Sequence, residues 1–283
     1  MAEYVNPDVL VETDWLEQNV DDSNLAIIEV DEDTSAYEKG HIPNAIGLNW
    51  ETDLHDVPRR EFVSSEQLAK LLGDNGVSSD QTIVLYGGNN NWFASYAYWL
   101  FKYRGVDNVK LLNGGRKKWE LESRELTQDE TRKSSTSFQI GAEQPDIRIF
   151  REEVIDRAKA GNEAWVDVRS PEEFRGELLA PPHLPQEQAQ VPGHIAGAAN
   201  IPWAKAANED GTFKSADELR ELYTSKGVLE DGKPVIAYCR IGERSAHTWF
   251  VLHELLGVED VENYDGSWTE WGNMVDVPIE KDV

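Results

Sequence analysis

One cysteine and two arginines stand out in the 283-residue chain as groups that could do chemistry. Cys239 is its only cysteine, and Arg240 and Arg244 follow it in the segment YCRIGERSAHTWF. A thiol becomes a nucleophile when it loses its proton, and nearby guanidinium groups favour that loss. The spacing therefore predicts a nucleophilic cysteine in an anion-binding loop. The competing interpretation is a small buried hydrophobic residue, the usual role of a lone cysteine at the end of a central strand.

The segments on either side of Cys239 predict the strand and the helix that position it. The run PVIAYC is typical of a buried central strand. In SAHTWFVLHELLG, Trp249, Leu252 and Leu255 recur with a helical period, and Gly257 suits the helix end. The stretch CRIGER is then a tight strand-to-helix loop. Its backbone N–H groups can point at an anion from the positive end of the helix dipole.

The length of this loop helps to choose between two chemistries. Four residues separate Cys239 from Arg244, and a loop that wraps a phosphate has one residue more. The smaller ring of amides better suits a single sulfur atom carried on the cysteine. A cysteine-dependent phosphatase or arsenate reductase is therefore the weaker alternative.

The chain also repeats itself. GHIPNAIGLNW (40–50) matches GHIAGAANIPW (193–203), and the predicted elements around both run strand, helix, strand, helix, strand. This order predicts an α/β fold of two tandem domains, each a mostly parallel five-stranded sheet flanked by helices. We expect the domains at 1–120 and 147–283, with the polar stretch 121–146 as linker.

The two copies differ where the chemistry is expected. The first has Tyr-Gly-Gly at 86–88 where the second has Tyr-Cys-Arg at 238–240. It also has NNNWF where the second has GERSA. We therefore expect a non-catalytic N-terminal domain and a catalytic C-terminal domain.

Charge and composition narrow the classes of partner. The net charge is −26, from 53 acidic and 27 basic side chains, so the surface repels nucleic acid phosphates. We find neither a leader segment nor an apolar run of about 18 residues that could span a membrane. One cysteine makes neither an internal disulfide nor a cysteine metal site. We expect a halophilic, cytoplasmic protein with no metal or organic cofactor, and its oligomeric state stays open.

Four segments together resemble the two-domain rhodanese family of thiosulfate sulfurtransferases: YCRIGERSAHTWF, NYDGSWTEWG, DVRSPEEF and VPGHIAGAANIPW. The resemblance implies two tandem rhodanese-like domains and a sulfur relay. The Cys239 thiolate would attack the outer sulfur of thiosulfate, sulfite would leave, and Cys239 would carry a persulfide. Cyanide or a thiol acceptor would then remove the sulfur.

The resemblance and the loop together predict the residues of the site. Cys239 is the expected catalytic residue, and the expected substrate-binding residues are Arg240, Ile241, Gly242, Glu243, Arg244 and Ser245. We expect Arg240 and Arg244 to grip the sulfonate and the loop amides to stabilise the persulfide. Glu243 should face solvent or pair with an arginine.

Three further residues are expected to support the loop. Asp167 and Arg169 end the strand AWVDVR, either beside the loop or as a surface ion pair. The animal thiosulfate enzyme has an arginine where this chain has Glu173, and Arg175 could take its place. The proline-containing loop at 176–193 should lie near the site.

Two alternatives within sulfur chemistry stay open. The first is 3-mercaptopyruvate sulfurtransferase, whose loop typically carries glycine and threonine where this chain has Arg240 and Arg244. The second is a non-catalytic carrier that holds a persulfide on Cys239 for a partner.

Overall fold

The computed structural model describes residues 3–56, 59–180, 188–230 and 232–282. Contacts divide the chain into two compact units. The first is formed by residues 8–145 with 207–213, and the second by residues 1–7, 146–206 and 214–283.

The first unit is built on a parallel sheet of five strands in the order β1-β7-β6-β2-β3. Its strands are β1 (Leu10–Val11), β2 (Leu25–Glu29), β3 (Ile46–Gly47), β4 (His55–Asp56), β5 (Glu61–Phe62), β6 (Thr82–Tyr86) and β7 (Val109–Leu112). Its helices are α1 (Thr13–Asn19), α2 (Ala36–Lys39), α3 (Trp50–Asp53), α4 (Ser65–Asp74), α5 (Gly88–Tyr103) and α6 (Gly115–Leu121). Strands β4 and β5 form a separate antiparallel pair.

The second unit repeats this architecture with a shorter sheet in the order β10-β8-β11-β12, again parallel. Its strands are β8 (Ala164–Asp167), β9 (His194–Ile195), β10 (Ala199–Asn200), β11 (Val235–Tyr238), β12 (Val261–Tyr264) and β13 (Ile279–Glu280). Its helices are α7 (Arg151–Ala160), α8 (Pro171–Arg175), α9 (Ala216–Thr224), α10 (Glu243–Phe250), which continues as a π-helical turn over Val251–Leu255, and α11 (Ser267–Trp271).

The α/β fold and the mainly parallel sheets predicted from the sequence are confirmed. The described second sheet nevertheless has four strands where five are predicted. Beside β12, where the first unit has β1 beside β7, the structure has one parallel bridge, between Arg148 and Asn263. Helix α7 begins three residues after this bridge, at Arg151.

The polar segment predicted as a linker packs against the first unit through its main chain. His41 and Thr127 exchange two backbone hydrogen bonds of 2.8 Å. The Thr136 N–H donates to the Gly73 carbonyl at 2.8 Å, and the Gly141 N–H donates to the Gly105 carbonyl at 2.9 Å. Residues 121–145 lack apolar periodicity, so backbone pairing takes the place of a buried helix face.

A buried histidine stands at the same place in both units. The His41 ring stacks on Tyr37 with centroids 3.7 Å apart, and the His194 ring stacks on Phe174 at 3.6 Å. In each case Nδ1 lies within hydrogen-bond distance of the carbonyl of the stacked residue, at 2.8 Å and 2.9 Å. Because the first unit has no nucleophilic thiol, this shared arrangement indicates a structural role for both histidines.

Candidate active site

Cys239 lies at the carboxyl end of the central sheet of the second unit. It follows β11 directly, and β11 lies between β8 and β12. A strand-to-helix loop follows Cys239 as predicted, but helix α10 begins at Glu243, so the loop is residues 239–242 and not the whole of CRIGER (239–244). Ligand sites of open parallel sheets gather at this end of the strands. The Cys239 side chain is fully buried.

The start of α11 holds the outer side of the loop. The Trp268 N–H donates to the Cys239 carbonyl at 3.1 Å, and the Thr269 N–H donates to the Arg240 carbonyl at 3.0 Å. The Cys239 N–H in turn donates to Ser267 Oγ at 3.0 Å. The Cys239 and Arg240 carbonyls are thus bound to α11. Main-chain N–H groups of the loop can then point toward the thiol.

Gly242 brings one of these amides to the sulfur. Its N–H donates to Cys239 Sγ at 3.1 Å. Its φ of 101° lies in the region that favours glycine, and an added Cβ would lie 2.8 Å from the Asp265 Cα. Asp265 cannot easily move, because Arg148 binds its carboxylate at 2.8 Å and 3.1 Å. The close approach of this amide therefore depends on glycine.

Ser245 and Asn263 fix the inner side of the loop. Ser245 Oγ lies 3.0 Å from the Gly242 carbonyl oxygen and 2.6 Å from Asn263 Oδ1. Asn263 Nδ2 donates to the same carbonyl at 3.1 Å. Ser245 is a predicted site residue. The contribution of Asn263 and Ser267 is not predicted, since both come from segments after the loop.

Arg244 already has a carboxylate partner in the structure. Its Nη1 and Nη2 donate to the two oxygens of Glu173 at 2.9 Å and 3.0 Å, a bidentate pair. Both side chains are buried, with 1% of Glu173 and 6% of Arg244 exposed. Glu173 stands where an arginine is expected from the resemblance, and its pair with Arg244 is not predicted from the sequence.

A helix N-terminus holds Glu173 in place. Its own N–H donates to Ser170 Oγ at 3.2 Å, and its Oε2 accepts from the Ser170 N–H at 3.1 Å. This is a capping box at the start of α8. The same carboxylate thus caps a helix and binds the arginine of the cysteine loop.

Asp167 and Arg169 form a second buried ion pair at this end of the sheet. Arg169 Nη2 lies 2.6 Å from Asp167 Oδ2 and 2.7 Å from the Gly193 carbonyl. The guanidinium also lies 4.7 Å from the centre of the Trp268 ring. Asp167 is the register partner of Tyr238, which precedes Cys239. The alternative of a surface ion pair is therefore wrong.

The surroundings of the Cys239 thiol favour its ionised form. Burial by itself would raise the pKa of the thiol. The Arg244 guanidinium and the hydrogen bonds from Ser245 and Gly242 outweigh burial, so the pKa lies below its usual value. The pKa of Glu173 is also lowered despite its burial, because Arg244 and Arg169 stabilise the carboxylate.

The other predicted site residues differ in burial and in their partners. Arg240 and Glu243 are both buried, with 2% exposed, so the solvent-facing position considered for Glu243 is wrong. Ile241 is half-buried. Arg175 does not replace the missing arginine, because its exposed guanidinium binds Glu177 at 2.9 Å. Of the loop at 176–193, residues 181–187 lie outside the described residues.

In the first unit, the loop that corresponds to residues 239–242 is held by the side-chain amide of Asn91. The Gly87 N–H donates to Asn91 Oδ1 at 3.1 Å, and Asn91 Nδ2 donates to the Leu112 carbonyl at 2.6 Å. Asn91 is fully buried. Its side chain satisfies the loop internally and supplies no nucleophile.

Comparison with known proteins identifies the family. The model of the rhodanese-like domain matches residues 12–122 and 150–274. The chain belongs to the rhodanese family. A Mycobacterium leprae protein named "Putative thiosulfate sulfurtransferase" is 60% identical over 273 residues, which cover 96% of this chain and 98% of that protein. The Thermus thermophilus "Sulfur carrier protein TtuD" is 51% identical over 281 residues, 98% of each chain.

A solved structure shares the fold of the whole chain. The anaerobic ergothioneine biosynthesis enzyme from Chlorobium limicola superposes with a TM-score of 0.85 at 23% identity. The match covers 100% of this chain and 72% of that chain. At this identity the likeness concerns the fold alone.

In the part of the chain that the structure describes, no group of histidine, cysteine, aspartate or glutamate side chains is arranged to hold a metal ion. Within the same residues, no helix combines the length and the apolar character needed to cross a bilayer.

Proposed function

We propose that this rhodanese is a thiosulfate sulfurtransferase that passes sulfane sulfur through a persulfide on Cys239 to cyanide or a thiol. The observation that carries the proposal is the Cys239 thiol itself. It is buried and accepts a hydrogen bond from the Gly242 N–H at 3.1 Å. Arg244 lowers its pKa. A thiol in such surroundings is a ready nucleophile at neutral pH.

The first step forms a sulfur–sulfur bond and breaks another. The Cys239 thiolate attacks the outer sulfur of thiosulfate, whose bond to the central sulfur breaks. Sulfite leaves with the electron pair of that bond. The thiolate and the dianion thus give a persulfide anion and sulfite, which carry the same total charge. No proton or external oxidant is required.

The second step returns the enzyme to its starting state. Cyanide attacks the terminal sulfur of the persulfide, thiocyanate leaves, and the Cys239 thiolate is regenerated. The Gly242 and Ser245 amides and the Arg244 guanidinium would stabilise the negative charge on sulfur in both steps. We assign the sulfonate of the donor to Arg240, since both terminal nitrogens of Arg244 already donate to Glu173.

We place this chemistry in residues 147–283 and give residues 1–120 a non-catalytic role. The buried Asn91 amide in the first unit supports this division. Asp167 and Arg169 would support the loop from the end of β8, where their ion pair lies beside Tyr238.

A persulfide carrier is the second candidate, and one observation favours it. The chain is 51% identical to a protein named as a sulfur carrier. A carrier and a catalyst would use the same Cys239 persulfide and would differ in turnover with free small molecules. Use of 3-mercaptopyruvate as donor is a third possibility to be measured beside thiosulfate.

We expect steady-state thiocyanate formation from thiosulfate and cyanide, with many turnovers per Cys239. The same preparation should act on 3-mercaptopyruvate with a lower kcat/KM, because Arg240 and Arg244 take the place of smaller loop residues. A single stoichiometric release of thiocyanate without further turnover would favour the carrier. Turnover only with 3-mercaptopyruvate would contradict the choice of donor.

We further propose that the protein works in a salt-rich cytoplasm, as its net charge of −26 suggests. At about 1 M salt the Debye length is only about 3 Å, which screens repulsion between surface carboxylates. Circular dichroism during dialysis from molar KCl into low salt should therefore record loss of folded structure. A melting temperature independent of salt would contradict this.

A further inference from the structure

Two buried ion pairs contribute to the electrostatics of the Cys239 thiol. Asp167 binds Arg169 at 2.6 Å, and Glu173 binds Arg244 at 2.9 Å and 3.0 Å. The two pairs influence each other, since the charge of Arg169 stabilises the Glu173 carboxylate. Arg244 in turn stabilises the thiolate. Negative and positive groups therefore alternate from Asp167 to the sulfur.

The site therefore has little net positive charge with which to bind an anionic donor. The two carboxylates cancel the two arginines, so the ionised thiol leaves this set with one net negative charge. At short range inside a protein, charges interact far more strongly than in water. A donor with two negative charges is therefore repelled more by this set than a donor with one.

The other charged groups near the loop do not change this balance. Asp265, which packs on Gly242, forms an ion pair with Arg148 at 2.8 Å. Arg240 and Glu243 have opposite charges, and both are buried. These four groups thus add no net charge. Arg244 donates to the Glu173 carboxylate through both of its terminal nitrogens.

We propose that Glu173 is a specificity-determining residue that acts through Arg244. It holds the guanidinium beside the Cys239 sulfur and cancels its charge toward the donor. Glu173 thereby weakens the use of thiosulfate, which has two negative charges, relative to sulfane-sulfur donors with one. This inference rests on the sulfurtransferase function proposed above and concerns how the same site ranks its donors.

The test compares two donors that differ mainly in charge. Thiosulfate carries two negative charges, and methanethiosulfonate has a methyl group in place of one sulfonate oxygen and carries one. Both give the same Cys239 persulfide, with sulfite or methanesulfinate leaving with the electron pair. The ratio of their kcat/KM values, measured on one preparation, does not depend on how much of a variant is folded.

Three variants separate the charge of Glu173 from other effects. Glu173→Gln keeps an oxygen for Arg244 but removes the charge, and it should lower KM for thiosulfate. It should shift the ratio toward thiosulfate by about fivefold or more. Glu173→Asp keeps the charge and should keep the wild-type ratio. Glu172→Gln removes a charge from an exposed side chain on the same helix and should leave the ratio unchanged.

The thiolate can be followed without any donor. Cys239 is the only cysteine, so the ultraviolet absorbance of the thiolate, corrected with Cys239→Ser, gives its titration directly. Loss of the negative neighbour should move the pKa of Cys239 lower in Glu173→Gln than in wild type. The thiolate, present above that pKa, then persists to lower pH.

The possible outcomes distinguish a failure of this inference from a failure of the proposed sulfurtransferase function. If wild type forms thiocyanate from neither donor, the proposed function fails, and the titration still tests Glu173. If wild type turns over but Glu173→Gln shifts the ratio no more than Glu172→Gln, the specificity role is overturned. The same holds if Glu173→Asp behaves like Glu173→Gln, or if the pKa of Cys239 rises in Glu173→Gln.

Discussion

Replacing Cys239 with serine should lower kcat/KM for thiosulfate by about a thousandfold or more. A serine hydroxyl keeps nearly the same volume in the buried site, but it stays protonated where the Cys239 thiol ionises. It cannot accept sulfane sulfur as a persulfide. The measurement is thiocyanate formation by wild type and variant at equal concentration of folded protein.

Mass spectrometry provides the control for this experiment. Thiosulfate should add one sulfur atom to the wild-type chain, and cyanide should remove it. Since the chain has one cysteine, the added atom can be assigned without ambiguity. Circular dichroism should find Cys239→Ser folded. Turnover or a sulfur adduct in this variant would contradict the persulfide mechanism.

Removal of Arg244 should have the second largest effect, and it should reduce both stability and activity. Arg244→Ala leaves Glu173 as a buried carboxylate without its bidentate partner. Breaking such a pair from one side costs about 3–5 kcal/mol in the free energy of unfolding. It also removes the charge that lowers the pKa of Cys239, so less thiolate is present at neutral pH. Urea unfolding and the pH dependence of kcat/KM measure the two losses.

Two further variants show whether the buried pair is responsible. Arg244→Leu combined with Glu173→Leu leaves no unpaired charge, so most of the stability should return while activity stays low. Arg175→Ala removes an arginine whose pair with Glu177 is exposed, and it should cost about 0–1 kcal/mol. An Arg244→Ala variant as stable as Arg175→Ala would contradict the assignment.

The fold and the cysteine loop could be predicted because their signals are local and repeated. The loop follows a short apolar run and precedes a helix with a 3.6-residue period, and each element has a counterpart in the other half. The repeat also separates structural from chemical residues. His41 and His194 recur in both copies, whereas Cys239 occurs in one.

The pairing of Glu173 with Arg244 could not be predicted from the loop alone. The two residues are separated by 71 positions, and an acidic side chain looks out of place in a site for anions. A partial signal exists in SPEE at 170–173, where Ser170 and Glu173 have the spacing of a capping box. That spacing would place Glu173 in the first turn of a helix just beyond β8, close to the end of β11.

No sequence pattern predicts that the second sheet has one strand fewer than the first. Arg148 lies in a short segment between the polar stretch and α7, and one bridge to Asn263 replaces a strand. Two-residue strands such as β1 depend on tertiary contacts, because so few residues carry no period of their own.

The lack of a second cysteine in the chain affects the lifetime of the persulfide proposed for Cys239. In many thiol proteins a second cysteine can attack a sulfur adduct and close an internal disulfide. This chain contains no second cysteine, so no intramolecular reaction of this kind can discharge the sulfur. If Cys239 carries a persulfide as proposed, only a molecule from outside can discharge it. The resting form in the presence of donor would then hold one activated sulfur atom, and the concentration of acceptor would set the rate of its release.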